Sequence, residues 1–231
     1  MTAPQRKKKK ATPKERFKQH LSKLVRECYL GSEIIGVDPD LHSTSVARLS
    51  SEGQLMKVMC SRVPKTIKGQ NCAFPTYRQV REMVGGDSRA HDSRVCFVAV
   101  EGQRVRRAAG AETKNPQSLV ELAVCGGMAG GAILSAVSSD SKLVVVEPVF
   151  WKGSVPKQIS HARILKRLGW DYEKVGSRET GYCRPINKDQ YRHAGVPVSI
   201  TDWKHMLDAI GIAHWLYDLI QAESRRRGRE E

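Results

Sequence analysis

Apolar and β-branched residues recur along the chain in short blocks, and turn residues separate them. Three blocks, 33–38, 43–50 and 54–60, have strand character, and Gly53 between the last two predicts a hairpin. A helix is expected over about 75–84, stopped by Gly85-Gly86. The run Val95-Cys96-Phe97-Val98-Ala99-Val100 has no polar break, which predicts a central buried strand. Asn115-Pro116, a cap followed by a first-turn proline, opens a helix over 116–136. Its Gly126, Gly127, Gly130 and Gly131 are poor helix formers, which points to close backbone approach by another element or by substrate. Lys142–Val146 reads as a strand, 156–168 as a helix opening with Pro156, and 171–198 as polar, basic and irregular. A last helix over about 202–222 is expected to fray into Arg225-Arg226-Arg227. Residues 13–28 carry a weak helical period, and residues 1–12 read as a disordered arm.

Three strands in a meander followed by alternating helices and strands predict an α/β fold, a mixed sheet with helices on its faces. The expected organisation is a basic arm and short helix (1–30), one α/β domain (31–223) and a charged tail (224–231). No apolar run is expected to reach the roughly 20 residues that span a bilayer, and the lysine-rich N-terminus lacks the apolar segment of a secretory signal. Cysteines 28, 60, 72, 96, 125 and 183 form no C-x-x-C pair. They read as reduced packing residues, in a cytoplasmic or other reducing, DNA-containing compartment.

Charge narrows the partner. The net charge is +15, and residues 1–28 hold ten Lys/Arg against two Glu. An excess of this size favours a polyanion, with nucleic acid first. A membrane surface ranks last, because the tail has no large apolar face.

The candidate chemistry is acidic. Glu33-Ile34-Ile35-Gly36-Val37-Asp38-Pro39 ends a strand in a carboxylate, and Val98-Ala99-Val100-Glu101-Gly102 does the same. Two such ends on adjacent central strands face one crevice. His205 and Asp208 stand three apart on the last helix, with Cβ atoms about 5–6 Å apart on one face. Asp202 lies about 120° further round and cannot join equally well. Each residue has a plainer reading: a turn cap for Asp38, a pair with Arg104 or Arg106 for Glu101, a pair with a lysine for Asp208, packing for His205. Taken together, Asp38, Glu101, His205 and Asp208 form a hard, oxygen-rich set that suits Mg²⁺ or Mn²⁺. Two such ions about 4 Å apart can serve phosphodiester hydrolysis.

The segments Ile35-Gly36-Val37-Asp38-Pro39-Asp40-Leu41, Val98-Ala99-Val100-Glu101-Gly102-Gln103 and His205-x-x-Asp208-Ala209-Ile210-Gly211-Ile212-Ala213 resemble the RuvC family of Holliday junction resolvases over roughly 33–215. The resemblance implies an RNase H-like fold, a homodimer, paired nicks in branched DNA and two divalent ions, with metal positions falling on Asp38, Glu101, His205 and Asp208. It also implies that Lys152 and Lys157 face the scissile phosphate, and that the glycine-rich helix forms the dimer. His205 stands where many members carry Asp. The basic arm and the 171–198 insertion depart from the compact bacterial pattern and suggest a phage or other divergent member. Two further readings stand beside this one: an RNase H-like nuclease for other branched or hybrid substrates, and a non-catalytic junction-binding module.

Overall fold

A computed structural model of the chain describes residues 12–26, 32–85, 95–102, 116–137, 139–177, 181–187, 203–227 and 229. The arm at 6–10, Arg104, Arg106, Asp202 and Cys28 lie outside the described residues. Helix α1 is Pro13–Arg26, followed by strands β1 Glu33–Asp38, β2 Ser45–Leu49 and β3 Leu55–Cys60. Helix α2 is Ala73–Gly85, β4 Val95–Glu101, α3 Pro116–Ala136 and β5 Lys142–Val146. Then come α4 Pro148–Trp151, α5 Lys157–Arg167, β6 Tyr172–Val175, β7 Tyr182–Pro185 and α6 Trp203–Arg227.

The main sheet has the order β3-β2-β1-β4-β5. The first three strands run antiparallel, and β4 and β5 run parallel to β1. Gly53 turns the β2–β3 hairpin at φ +79°, a backbone region that glycine enters freely. This is the expected α/β architecture, a mixed sheet with helices on its faces.

Strand alternation builds two cores. Ile35, Val37, Val98 and Val100 point to one face and pack with Val80, Val84, Ala129 and Ile133 of α2 and α3. On the other face Ile34, Phe97, Ala99 and Val144 meet Ile212, Ala213 and Leu216 of α6. Each fully buried Val, Leu, Ile or Phe side chain among these contributes about 1.5–3 kcal/mol relative to exposure. Gly36 sets how closely α6 approaches β1. A Cβ there would lie 2.3 Å from the Ala209 carbonyl oxygen and 2.6 Å from the Ala213 nitrogen.

Several expectations need correction. The stretch 171–198 is not wholly irregular, because β6 and β7 pair as an antiparallel hairpin. Its strands are only four residues long, too short for alternation to be legible. Helix α6 does not fray before the arginines but continues to Arg227. Cations in the last turn favour the negative end of the helix dipole. Residues Gln117–Ala136 are long and apolar enough to cross a membrane by length and composition, against expectation. In this structure Cys125, Ala129, Ala132 and Ile133 of that helix are buried in the cores.

The four α3 glycines divide into two pairs. A Cβ on Gly126 would meet Pro39 at 3.2 Å, and one on Gly130 would meet Leu143 at 3.2 Å. Those two serve packing inside the chain. Gly127 and Gly131 have nothing within 4 Å.

Candidate active site: a carboxylate cluster at the strand ends

The parallel register pairs Val37 with Val100, so the next step brings Asp38 beside Glu101. Asp208 arrives from α6, held over β1 by the contact at Gly36. These carboxylates belong to residues only 5%, 7% and 3% exposed. The structure thus brings together three acids separated by more than 160 residues of chain.

Each acid has different company. Asp38 Oδ2 lies 2.8 Å from His205 Nδ1, and His205 Nε2 lies 3.6 Å from Asp40. Trp151 donates its indole N–H to Glu101 Oε2 at 2.8 Å, and Lys152 Nζ lies 3.8 Å from the same oxygen. Gly211 makes room for the Trp151 ring, which would sit 2.6 Å from any Cβ placed there. Asp208 is the best satisfied, with Lys157 Nζ at 2.5 Å on Oδ2 and His161 Nε2 at 3.0 Å on Oδ1. The lysine reading of Asp208 is therefore correct as geometry. Lys152 and Lys157 both stand in the cluster.

Electrostatics follow from this company. Burial raises Asp38 above the usual carboxylate range, against the opposing hydrogen bond from His205, and neighbouring Asp208 adds to the rise. Burial, then the charge of Asp38, pushes Glu101 up to about 7. Burial acts the same way on Asp208, but His161 and Lys157 outweigh it and hold the acid down at about 2. Burial works against the Lys157 ammonium, yet Asp208 wins and its pKa is raised. Burial lowers His161, so the ring is neutral near pH 7. With Asp208 ionised, the ring must donate from Nε2, which leaves its buried Nδ1 without a partner.

The chemistry of this donor set fits a divalent cation on one side only. Asp38 and Glu101 carry crowded, desolvated charge that a cation would relieve. Asp208 already has its cation. Asp38, Glu101, His205 and Asp208 all stand in the cluster, and their side chains are engaged by protein partners. Lys157 and His161 hold both oxygens of Asp208, and His205 holds one of Asp38.

His161 and Trp151 were missed in the sequence. The available signal was spacing: Lys157 and His161 are four apart and so share one face of α5. Trp151 precedes Lys152 directly, but nothing in the sequence aims its indole at Glu101.

No protein-family model and no curated protein sequence matches this chain. Among solved structures it is similar to Thermus thermophilus RuvC, both in complex with Holliday junction substrate and in a second structure. Each comparison gives 19% identity and a TM-score of 0.47, and covers 85% of this chain and 96% of that one. The fold assignment rests on the strand order and directions described above.

Proposed function

We propose that this chain is a divalent-metal-dependent nuclease that cuts branched DNA, resolving four-way junctions by paired nicks. One observation carries the reading. Three buried carboxylates from β1, β4 and α6 converge, and two of them are pushed above the ordinary range. Binding a phosphate gains nothing from such acids alone. The cluster is useful once a cation joins it, and the +15 charge supplies the attraction for DNA.

Asp38 and Glu101 would hold the ion, with Asp208 and His205 completing the set. When bound, Mg²⁺ or Mn²⁺ would polarise a phosphoryl oxygen and lower the pKa of water. The chain's own residues do the rest. His205, oriented between Asp38 and Asp40, shields one carboxylate edge. Lys152 stacks over Trp151 at 4.8 Å and can turn its ammonium to a phosphate oxygen. Lys157 can exchange Asp208 for phosphate, while His161 keeps Asp208 in place. In hydrolysis water's oxygen bonds to phosphorus, one phosphorus–oxygen bond to sugar breaks, and the leaving oxygen takes a proton.

A junction needs two nicks, and one chain carries one cluster, so the active form is a C₂ homodimer. Exposed Val120 and Val124 on α3, with Leu143 and Val145 on edge strand β5, support an interface between copies. Gly127 and Gly131, both open, lie on that same exposed helix face. Gly127→Leu should weaken dimerisation measured by sedimentation. Gly130→Leu should instead lower stability through crowding against Leu143.

The deciding experiment is nicking of four-way, Y, flap and RNA–DNA hybrid substrates with and without Mg²⁺. Paired, metal-dependent nicks in the four-way junction are expected. Preference for hybrids would favour the broader RNase H-like reading. Tight binding with no nicking in any metal would leave a junction-binding module.

A further inference from the structure

Beyond the catalytic cluster, a cleft of about 580 Å³ runs between α5 and the β6–β7 hairpin. Gln158, Ala162 and Lys166 line it along one stripe of α5, and Arg163 flanks the stripe. Tyr172 and Lys174 form the opposite wall.

The hairpin sorts its charges. Lys174 pairs in register with Cys183, and Tyr172 with Pro185. Directly opposed residues share a face. Cys183 is buried and donates its thiol to the Gln158 carbonyl oxygen at 3.3 Å, so that face is turned to α5. Glu173 falls on the other face, where Arg184 pairs with it. The acid is thus turned away and neutralised, while the lysine and the tyrosine face the cleft. Arg163, Lys166 and Lys174 are exposed and have no carboxylate partner among the described residues.

The hairpin is also firmly seated. Trp170, Leu168 and Tyr172 pack on the core formed with Leu165, Trp203 and Met206. Trp170 meets Trp203 edge-on at 6.2 Å. The two walls are therefore preorganised, which reduces the ordering cost of binding.

We propose that this cleft docks the sugar–phosphate backbone of one DNA strand next to the cleaved site, through Arg163, Lys166 and Lys174. The proposal rests on the nuclease reading and extends it to a subsite. Lys157, which stands in the cluster, and Lys166 are nine residues apart on α5, about 14 Å of helix rise. That equals roughly four nucleotides along one strand at about 3.4 Å each. The phosphates held here lie about two to four nucleotides from the cut. Tyr172 offers its ring and hydroxyl beside the sugar.

The test is the triple variant Arg163→Ala/Lys166→Ala/Lys174→Ala, in the full chain. The probe is a labelled four-way DNA junction, titrated in EDTA at several NaCl concentrations. The control variant is Arg225→Ala/Arg226→Ala/Arg229→Ala, which removes equal charge at and just beyond the C-terminal end of α6, with Arg225 about 26 Å of helix rise from Asp208. Circular dichroism checks folding, and Gln in place of Ala gives a second set. The slope of log affinity against log salt should become shallower by about 2 to 3 in the cleft variant only. An unchanged slope, or an equal change in the control, overturns the subsite. Wild type that binds the junction but fails to nick it with Mg²⁺ defeats the nuclease reading alone, and the slope still decides the cleft.

Discussion

The two sides of the carboxylate cluster are built on opposite electrostatic plans. On the α6 side, Asp208 is met by Lys157 and His161, and its pKa falls to about 2. On the sheet side, Glu101 has only an indole N–H and a lysine at 3.8 Å, and its pKa rises to about 7. Burial is nearly the same on both sides, so it does not explain the difference. Partner geometry does. One side is charge-satisfied by the chain itself, and the other is not. A site with both sides satisfied would have no use for a cation, and one with neither satisfied would be hard to fold.

The largest effect is expected from removing the unsatisfied side. Under the proposed function, Asp38→Asn should lower nicking at least about 100-fold, because the proposed ion would lose a ligand charge. Junction binding in EDTA should be retained or improved, since one acid facing phosphate is removed. Robust nicking by Asp38→Asn would break the assignment of the sheet side.

Next is His214, a buried histidine further along α6 that has no carboxylate hydrogen-bond partner among the described residues. Burial, then the charge of Arg167, lowers its pKa to about 4, although its Nδ1 lies 3.1 Å from the Ile210 carbonyl oxygen. The unfolded chain binds a proton near 6.5 and the folded chain does not. Stability therefore falls as pH drops from about 6.5 to about 4, by about 3 kcal/mol in all. The difference between wild type and His214→Gln in chemical denaturation should show that slope. A pH-independent difference would mean that the ring takes up its proton as readily in the fold as in the unfolded chain.

Third, the two acids should differ in metal-free stability. Asp208→Asn weakens a buried charge-assisted network and should cost about 1–3 kcal/mol. Glu101→Gln removes a desolvated acid and should cost close to nothing at pH 7.5. Equal losses in EDTA, by urea denaturation, would erase the contrast drawn here.

The smallest expected effect is on positioning. His161→Ala should reduce nicking about 10-fold and raise the metal concentration needed for half-maximal rate. His161→Gln, which keeps a donor toward Asp208, should recover part of both. An unaltered metal requirement in His161→Ala would reduce this histidine to packing.

The succession of elements along the chain and the acids at two strand ends were legible in the sequence because they rest on local signals, whereas the order of strands within the sheet was not. Ile34–Val37 and Val95–Val100 are uninterrupted apolar runs that stop at a carboxylate, and each reads as a buried strand with an acid at its end. The spacing of His205 and Asp208 follows from the helical repeat alone. Lys152 and Lys157 were reached only through family resemblance, and what each one touches was not legible. Tertiary structure decided that Lys157 and His161 close on Asp208, while Lys152 stays loosely placed beside Glu101. It also decided that Gly126 and Gly130 turn inward while Gly127 and Gly131 turn out. The β6–β7 hairpin escaped because four-residue strands carry too little periodicity, and its cleft exists only where the hairpin meets α5. Periodicity reports which face a residue takes within its own element. Which partner that face meets depends on contacts across dozens of residues, and those contacts set each carboxylate's charge.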